Sequence, residues 1–139
     1  METIDGLYDF AYKNNITIDR YNIGGIDAMS VELGGNKYFI AINECKSFTY
    51  AELLAKLAHE FGHCERGALY NEKTPIFSRG RCENMADEWA IERLIPYDEL
   101  YIESRSPYNR TWELAEHFSV TEELIKKAIR YYKMPGWNL

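Results

Sequence analysis

The stretch from Thr49 to Gly67 constrains this chain most, because its sequence specifies a helix at its start, along one face and at its end. Thr49 followed three residues later by Glu52 forms a capping box, and Phe48 ahead of the cap can staple onto Leu53. Leu53, Leu54, Leu57, Ala58 and Phe61 then supply an apolar stripe that runs up to Gly67. Inside this helix falls His59-Glu60-Phe61-Gly62-His63, which holds two of the three histidines in the protein.

The flanking sequence predicts smaller elements. Residues 3–14 read as a short amphipathic helix with Leu7, Phe10 and Ala11 on one stripe. From Ile16 to Asn43 the period changes to two. Ile16-Thr17-Ile18, Met29-Ser30-Val31-Glu32-Leu33 and Lys37-Tyr38-Phe39-Ile40-Ala41-Ile42 are β-prone, and Gly34-Gly35-Asn36 between the last two reads as a hairpin turn. A three-stranded antiparallel sheet is expected. Residues 67–80, with Pro75, Ser78 and Gly80, read as a loop, and a helix from about Cys82 to Ile95 should stop at Pro96. A short helix over 97–103 and a loop from Ser104 to Asn109 lead to two further helices, Thr111–His117 and Thr121–Tyr132. The expected fold class is α+β: a small sheet packed on a core of paired helices, with C-terminal helices at helix-turn-helix spacing. At 139 residues this is one domain over 1–139, a core at 1–103 and a helical subregion at 104–139.

Composition excludes several classes. The apolar share of 46% against 27% charged residues is that of a globular domain and argues against disorder. A net charge of -6 and a pI near 5.1 argue against a strongly basic phosphate-binding surface. Cys45, Cys64 and Cys82 are odd in number and contain no CxxC pair, so they form no disulfide framework. The N-terminus carries Glu2, Asp5 and Asp9 without a basic region, and no apolar run approaches the ~20 residues of a membrane span. A soluble cytoplasmic protein without membrane contact is expected.

The spacing of the His59–His63 pair has a chemical consequence. Positions i and i+4 lie about 40° apart on a helix, so both imidazoles can reach one metal ion, while Glu60 points to the side, where a carboxylate can hold and deprotonate a water. Two histidines four apart can also be solvated or satisfied within a core. A third ligand is therefore sought, and the helix over 82–95 offers one. There Glu83 and Asp87 repeat the i, i+4 spacing on the face shared by Ala86, Ala90, Ile91 and Leu94. Carboxylates on a core-facing stripe are costly unless paired or bound to metal. Glu83 would complete a His-His-Glu set around one zinc ion, and Asp87 one turn on could accept the spare ring N–H of a ligand histidine. A salt-bridged face involving Arg81 and Arg93 is the alternative.

The motif followed by Glu83-x-x-Ala86-Asp87-x-Trp89-Ala90 and Leu94-Ile95-Pro96 resembles the ImmA/IrrE family of metallopeptidases. The likeness extends to Leu57-Ala58, to Ile40-Ala41-Ile42-Asn43 and to the tail from Glu113 to Thr121, and so covers roughly residues 30–132. It implies a gluzincin-like fold with a zincin-like helical core, in bacteria or their mobile elements. The implied activity is cleavage of a partner transcriptional repressor of helix-turn-helix type, with His59, His63 and Glu83 binding Zn2+ and Glu60 as the catalytic base. The chain departs from the pattern at Cys64 to Tyr70, where members often carry an apolar stretch and another histidine. Cys64, next to His63, should point away from a shared metal, and both it and Cys82 read as packing residues.

Two other readings remain open on the residues alone. One is a non-catalytic repressor-binding module, an anti-repressor with a structural or vestigial metal site. The other uses the C-terminal helices to bind DNA. Arg110, Lys126, Lys127, Arg130 and Lys133 there face Glu113, Glu116, Glu122 and Glu123, which leaves no basic face, so packing or substrate docking is expected and direct nucleic-acid binding is not. His117 reads as a surface or satisfied core residue. Tyr70, Tyr97 and Tyr101 are candidates to polarise a substrate carbonyl, with nothing in the sequence to choose among them.

Overall fold

The computed structural model describes residues 1–138. Among them the elements run α1 (Ile4–Lys13), β1 (Ile16–Tyr21), β2 (Ala28–Gly34), β3 (Lys37–Asn43), α2 (Tyr50–Glu65), α3 (Ile76–Leu94), α4 (Tyr97–Ser104), α5 (Thr111–Phe118) and α6 (Glu122–Tyr132). The fold is α+β, as expected.

The sheet departs from the expectation. Its order is β1-β3-β2, with β2 antiparallel to β3 but β1 parallel to it, so the sheet is mixed and not antiparallel throughout. The chain does reverse between β1 and β2, yet the two never pair, because residues 22–27 cross over the end of β3 and place β2 on its far side. Asn43, fully buried at that end, makes so short a crossing possible. Its Nδ2 donates to the carbonyls of Gly24 at 2.9 Å and Ile26 at 2.7 Å, and its Oδ1 accepts from the Cys45 N–H at 2.9 Å. Gly24 supplies the positive φ of +76° that the crossing requires.

Helix α2 starts where the capping box places it: Thr49 accepts from Glu52 N, and the Glu52 carboxylate accepts from Thr49 N. Helix α3 starts at Ile76, six residues before the expected position, directly after Pro75. The expected loop over 67–80 therefore ends at Pro75. Gly80 is helical here, with open space where a side chain would stand, so it lowers helix propensity without breaking the helix. The helices expected over 3–14, 97–103, 111–117 and 121–132 form within a residue or two of their expected limits.

One core joins these elements. Leu7 of α1, Ile40 and Ile42 of β3, Leu57 and Phe61 of α2, and Leu94 of α3 all lie within it. Phe10 stacks on Phe61 with centroids 5.6 Å apart. Helices α2 and α3 lie against each other, with Gly62 facing the backbone of Ala86. No described helix is long and apolar enough to cross a membrane.

Candidate metal centre

The one-turn spacing within α2 brings His59 and His63 side by side, with ring centroids 4.8 Å apart and planes nearly perpendicular at 86°. Helix α3 then delivers its carboxylates. Glu83 spans both rings: its Oε2 lies 2.8 Å from His59 Nε2 and its Oε1 3.1 Å from His63 Nε2. Asp87 Oδ1 lies 2.7 Å from His59 Nδ1, and the carbonyl of Ala68 lies 2.7 Å from His63 Nδ1. All five residues singled out from the sequence, His59, Glu60, His63, Glu83 and Asp87, thus meet where α2 and α3 pack.

The donor chemistry fits a divalent cation. Each Nδ1 faces its own acceptor, which assigns the ring proton there and leaves Nε2 to face Glu83. Without a cation, each Nε2 must also carry a proton to bond a carboxylate. The pKa directions agree. Burial works against a charged His59, but the bonds to Asp87 and Glu83 outweigh it and raise the ring to about 9. His63 is raised in the same way, with Glu83 and the Ala68 carbonyl prevailing over burial. Glu83 is held far below the usual carboxylate range by His59 and then His63. Protons therefore stand in this cluster where a metal ion would take their place. Two imidazole nitrogens and a carboxylate oxygen form a donor set suited to zinc. Tetrahedral donors ~2.0 Å from zinc lie about 3.3 Å apart, so the Glu83–histidine separations need open by only a few tenths of an ångström.

Glu60 occupies a different position. It is 8% exposed, and its carboxylate lies with the ring nitrogens of both histidines inside a group whose atoms are all within 4.8 Å of one another. It makes no bond to either ring and instead accepts from the Ser30 hydroxyl of β2 at 2.6 Å. Three carboxylates therefore stand at the histidine pair: Glu83 faces both Nε2 atoms, Asp87 holds the outer nitrogen of His59, and Glu60 is tethered to the sheet.

The sequence reading missed four supporting contacts. Ser30 binds Glu60, and the Ala68 carbonyl binds His63. Lys127 of α6 reaches Asp87 Oδ2 at 3.3 Å. Tyr70 donates to Glu83 Oε1 at 2.8 Å. The last contact separates the three tyrosine candidates, because Tyr97 and Tyr101 stack on each other along α4, Tyr97 packs on Tyr132, and neither borders the cleft at the cluster. Cys64 is buried, with its thiol pushed up to about 12 by that burial against the lowering effect of a bond to Ser30, and it is not one of the group that could hold a metal. His117 lies between Glu99 and Glu103 of α4, also outside it.

A cleft of about 470 Å³ opens beside the cluster, bordered by Asp27, Lys56, His59, Glu60, Leu124 and Lys127. Asp27 is clasped by Lys46 at 2.7 Å and Lys56 at 2.6 Å. Helix α6 thus forms one wall of the cleft, with Leu124, Ile125, Ala128 and Ile129 buried beneath it.

A family model described as the IrrE N-terminal-like domain, Peptidase_M78, matches residues 13–130. The chain belongs to this family. Membership agrees with the resemblance carried by the paired helices and makes the domain one of a peptidase family of metallopeptidase type; among the described residues, His59, Glu60 and His63 form the tight group that could hold a metal ion, with Glu83 bonded to both rings beside it. No curated protein and no solved structure gives a significant match. The IrrE-like match ends at residue 130, inside α6, so the helix that walls the cleft falls almost wholly within the family domain.

Proposed function

We propose that the protein is a zinc-dependent endopeptidase acting on a partner transcriptional repressor, of helix-turn-helix type, from a phage or mobile element. The observation that carries the peptidase reading is that Glu83, from a second helix, bonds both histidines of the motif while each ring's other nitrogen is held by a separate acceptor. Family membership supports it, and the repressor as substrate rests on the ImmA/IrrE resemblance.

In this reading His59, His63 and Glu83 hold one zinc ion. When bound, it polarises the scissile carbonyl and lowers the pKa of water towards neutrality. The remaining work belongs to the chain. Asp87 keeps the proton of His59 on Nδ1, and the Ala68 carbonyl does the same for His63, so both Nε2 atoms face inward. Glu60, at the edge of the cleft, accepts a proton from the attacking water as the carbon–oxygen bond forms. It then returns that proton to the amine nitrogen as the carbon–nitrogen bond breaks. Ser30 occupies Oε1, which leaves Oε2 for this transfer.

The test is incubation of the zinc-loaded protein with the repressor encoded beside it, followed by mass spectrometry of the products. A single discrete cut, abolished by chelator and by Glu60→Gln with zinc content retained, is the expected result. Cleavage by the Glu60→Gln protein would remove Glu60 as base. Tight binding without any cut would favour the anti-repressor module.

A further inference from the structure

We propose that Ser30 decides the role of Glu60: by holding its carboxylate against the sheet, Ser30 keeps Glu60 a base and prevents it from becoming a metal ligand. This rests on the metal-centre reading above and adds to it a positioning residue on a different element.

The structure poses the problem that Ser30 solves. Glu60 sits in the same tight group as the ring nitrogens of His59 and His63, all atoms within 4.8 Å. A carboxylate so close to two imidazoles is itself a competent third ligand, and a bound cation would attract it. If Glu60 ligated beside Glu83, the coordination would expand, and no free carboxylate would remain to accept a proton. Something must hold Glu60 back.

Ser30 is placed to do so. Its Oγ lies 2.6 Å from Glu60 Oε1, a short bond of the charge-assisted kind, and 3.2 Å from the Glu60 carbonyl. A hydroxyl has one proton to donate, and the shorter contact to the charged oxygen claims it. The strand behind it is anchored: Ser30 pairs with Ile40 of β3, and Ile40 is fully buried. Ala28 and Ser30 share one face of β2, and Ala28 borders the cleft beside Glu60. The tether is therefore fixed to the sheet and not to α2, so it resists movement of the carboxylate towards the histidines. A hydrogen bond to a charged group biases such an equilibrium about 10–100-fold.

The test uses cobalt(II) in place of zinc, since its visible spectrum reports coordination number. The wild-type chain, Ser30→Ala, Ser30→Thr and the double variant Ser30→Ala with Glu60→Gln are loaded and compared. Ser30→Ala is expected to weaken the visible absorption as the freed carboxylate joins the metal, and Ser30→Thr, which keeps the hydroxyl, to match wild type. Glu60→Gln in the Ser30→Ala background is expected to restore the wild-type spectrum, a reversal that a loss of strand packing would not show. If Ser30→Ala does not fold, Ser30→Cys, of similar shape but a weak donor, takes its place with the same expected shift. A spectrum unchanged by loss of the hydroxyl, or changed but not reversed by Glu60→Gln, overturns the proposal. Failure of the wild-type chain to take up one cobalt ion in a manner abolished by His59→Ala would instead overturn the metal centre itself.

Discussion

A Cβ built on Gly62 stands 2.5 Å from the carbonyl oxygen of Ala86 and 2.8 Å from its Cα. The residue directly before the second motif histidine must therefore lack a side chain, because α3 crosses at that point with its backbone in contact. The obstacle is main chain and not a rotatable side chain, so relief requires α3 to shift. Glu83 and Asp87 flank Ala86 on that helix, and any shift carries them away from the rings they bond.

Gly62→Ala is therefore expected to lower stability by ~1–3 kcal/mol and to weaken metal uptake, although alanine is the better helix former. Gly80→Ala is the control: that glycine is helical with open space around its would-be Cβ, and the change should stabilise by ~0.5–1 kcal/mol. Urea denaturation and zinc content of the two variants check the pair, and equal behaviour would refute the close-approach argument.

Asp87→Asn should weaken zinc affinity about 10–100-fold while leaving the fold intact, since Asp87 bonds the outer nitrogen of His59 and asparagine is nearly isosteric with it. It also removes the charge that Lys127 of α6 approaches. Competition against a chelator of known affinity measures the effect, and an unchanged affinity would mean that His59 needs no orienting partner.

The chelated protein should show a pH dependence set by its protonated cluster. His59 is raised from an ordinary 6.5 to about 9, so its contribution to stability is complete below pH ~6.5 and is lost as pH rises through about 9. Glu83 is lowered, so its contribution is present above its ordinary value of 4.5 and is lost as acid protonates it. Thermal unfolding of the metal-free chain should therefore move to lower temperature between pH 6.5 and 9. The zinc-loaded chain should lose stability at the acid end, where protons compete for the rings. A flat profile for the metal-free chain over that alkaline window would contradict the protonated cluster.

Asn43→Ala should destabilise by ~2–3 kcal/mol, because the side chain is fully buried and carries three hydrogen bonds, two of which hold the crossing from β1 to β2. Asn43→Asp should be worse, since it replaces the doubly donating Nδ2 by one charged oxygen facing the carbonyls of Gly24 and Ile26. Denaturant midpoints give the order, and an alanine variant within about 0.5 kcal/mol of wild type would show that the crossing needs no anchor.

What the sequence determined by itself is local in origin. The capping box at Thr49 and Glu52, the apolar stripe to Phe61, and the i, i+4 pairs His59–His63 and Glu83–Asp87 depend on neighbours within one or two helical turns, and helix geometry alone fixes their relative directions. Those features were enough to bring five site residues to one place. The start of α3 differs from the expectation because Gly80 only lowers helix propensity and packing overrides it, while Pro75 marks the true start; the direction of β1 differs because strand pairing is a choice between partners far apart in sequence. The tertiary structure alone decided that Asn43 closes the crossing, that Tyr70 and not Tyr97 or Tyr101 meets Glu83, and that Lys127 reaches Asp87 from forty residues away. It also decided that Ser30, thirty residues before Glu60, binds the Glu60 carboxylate and leaves Glu83 to bond both rings. No periodicity records such contacts, because a hydrogen bond between a strand and a helix depends on how the two elements pack and not on the spacing within either.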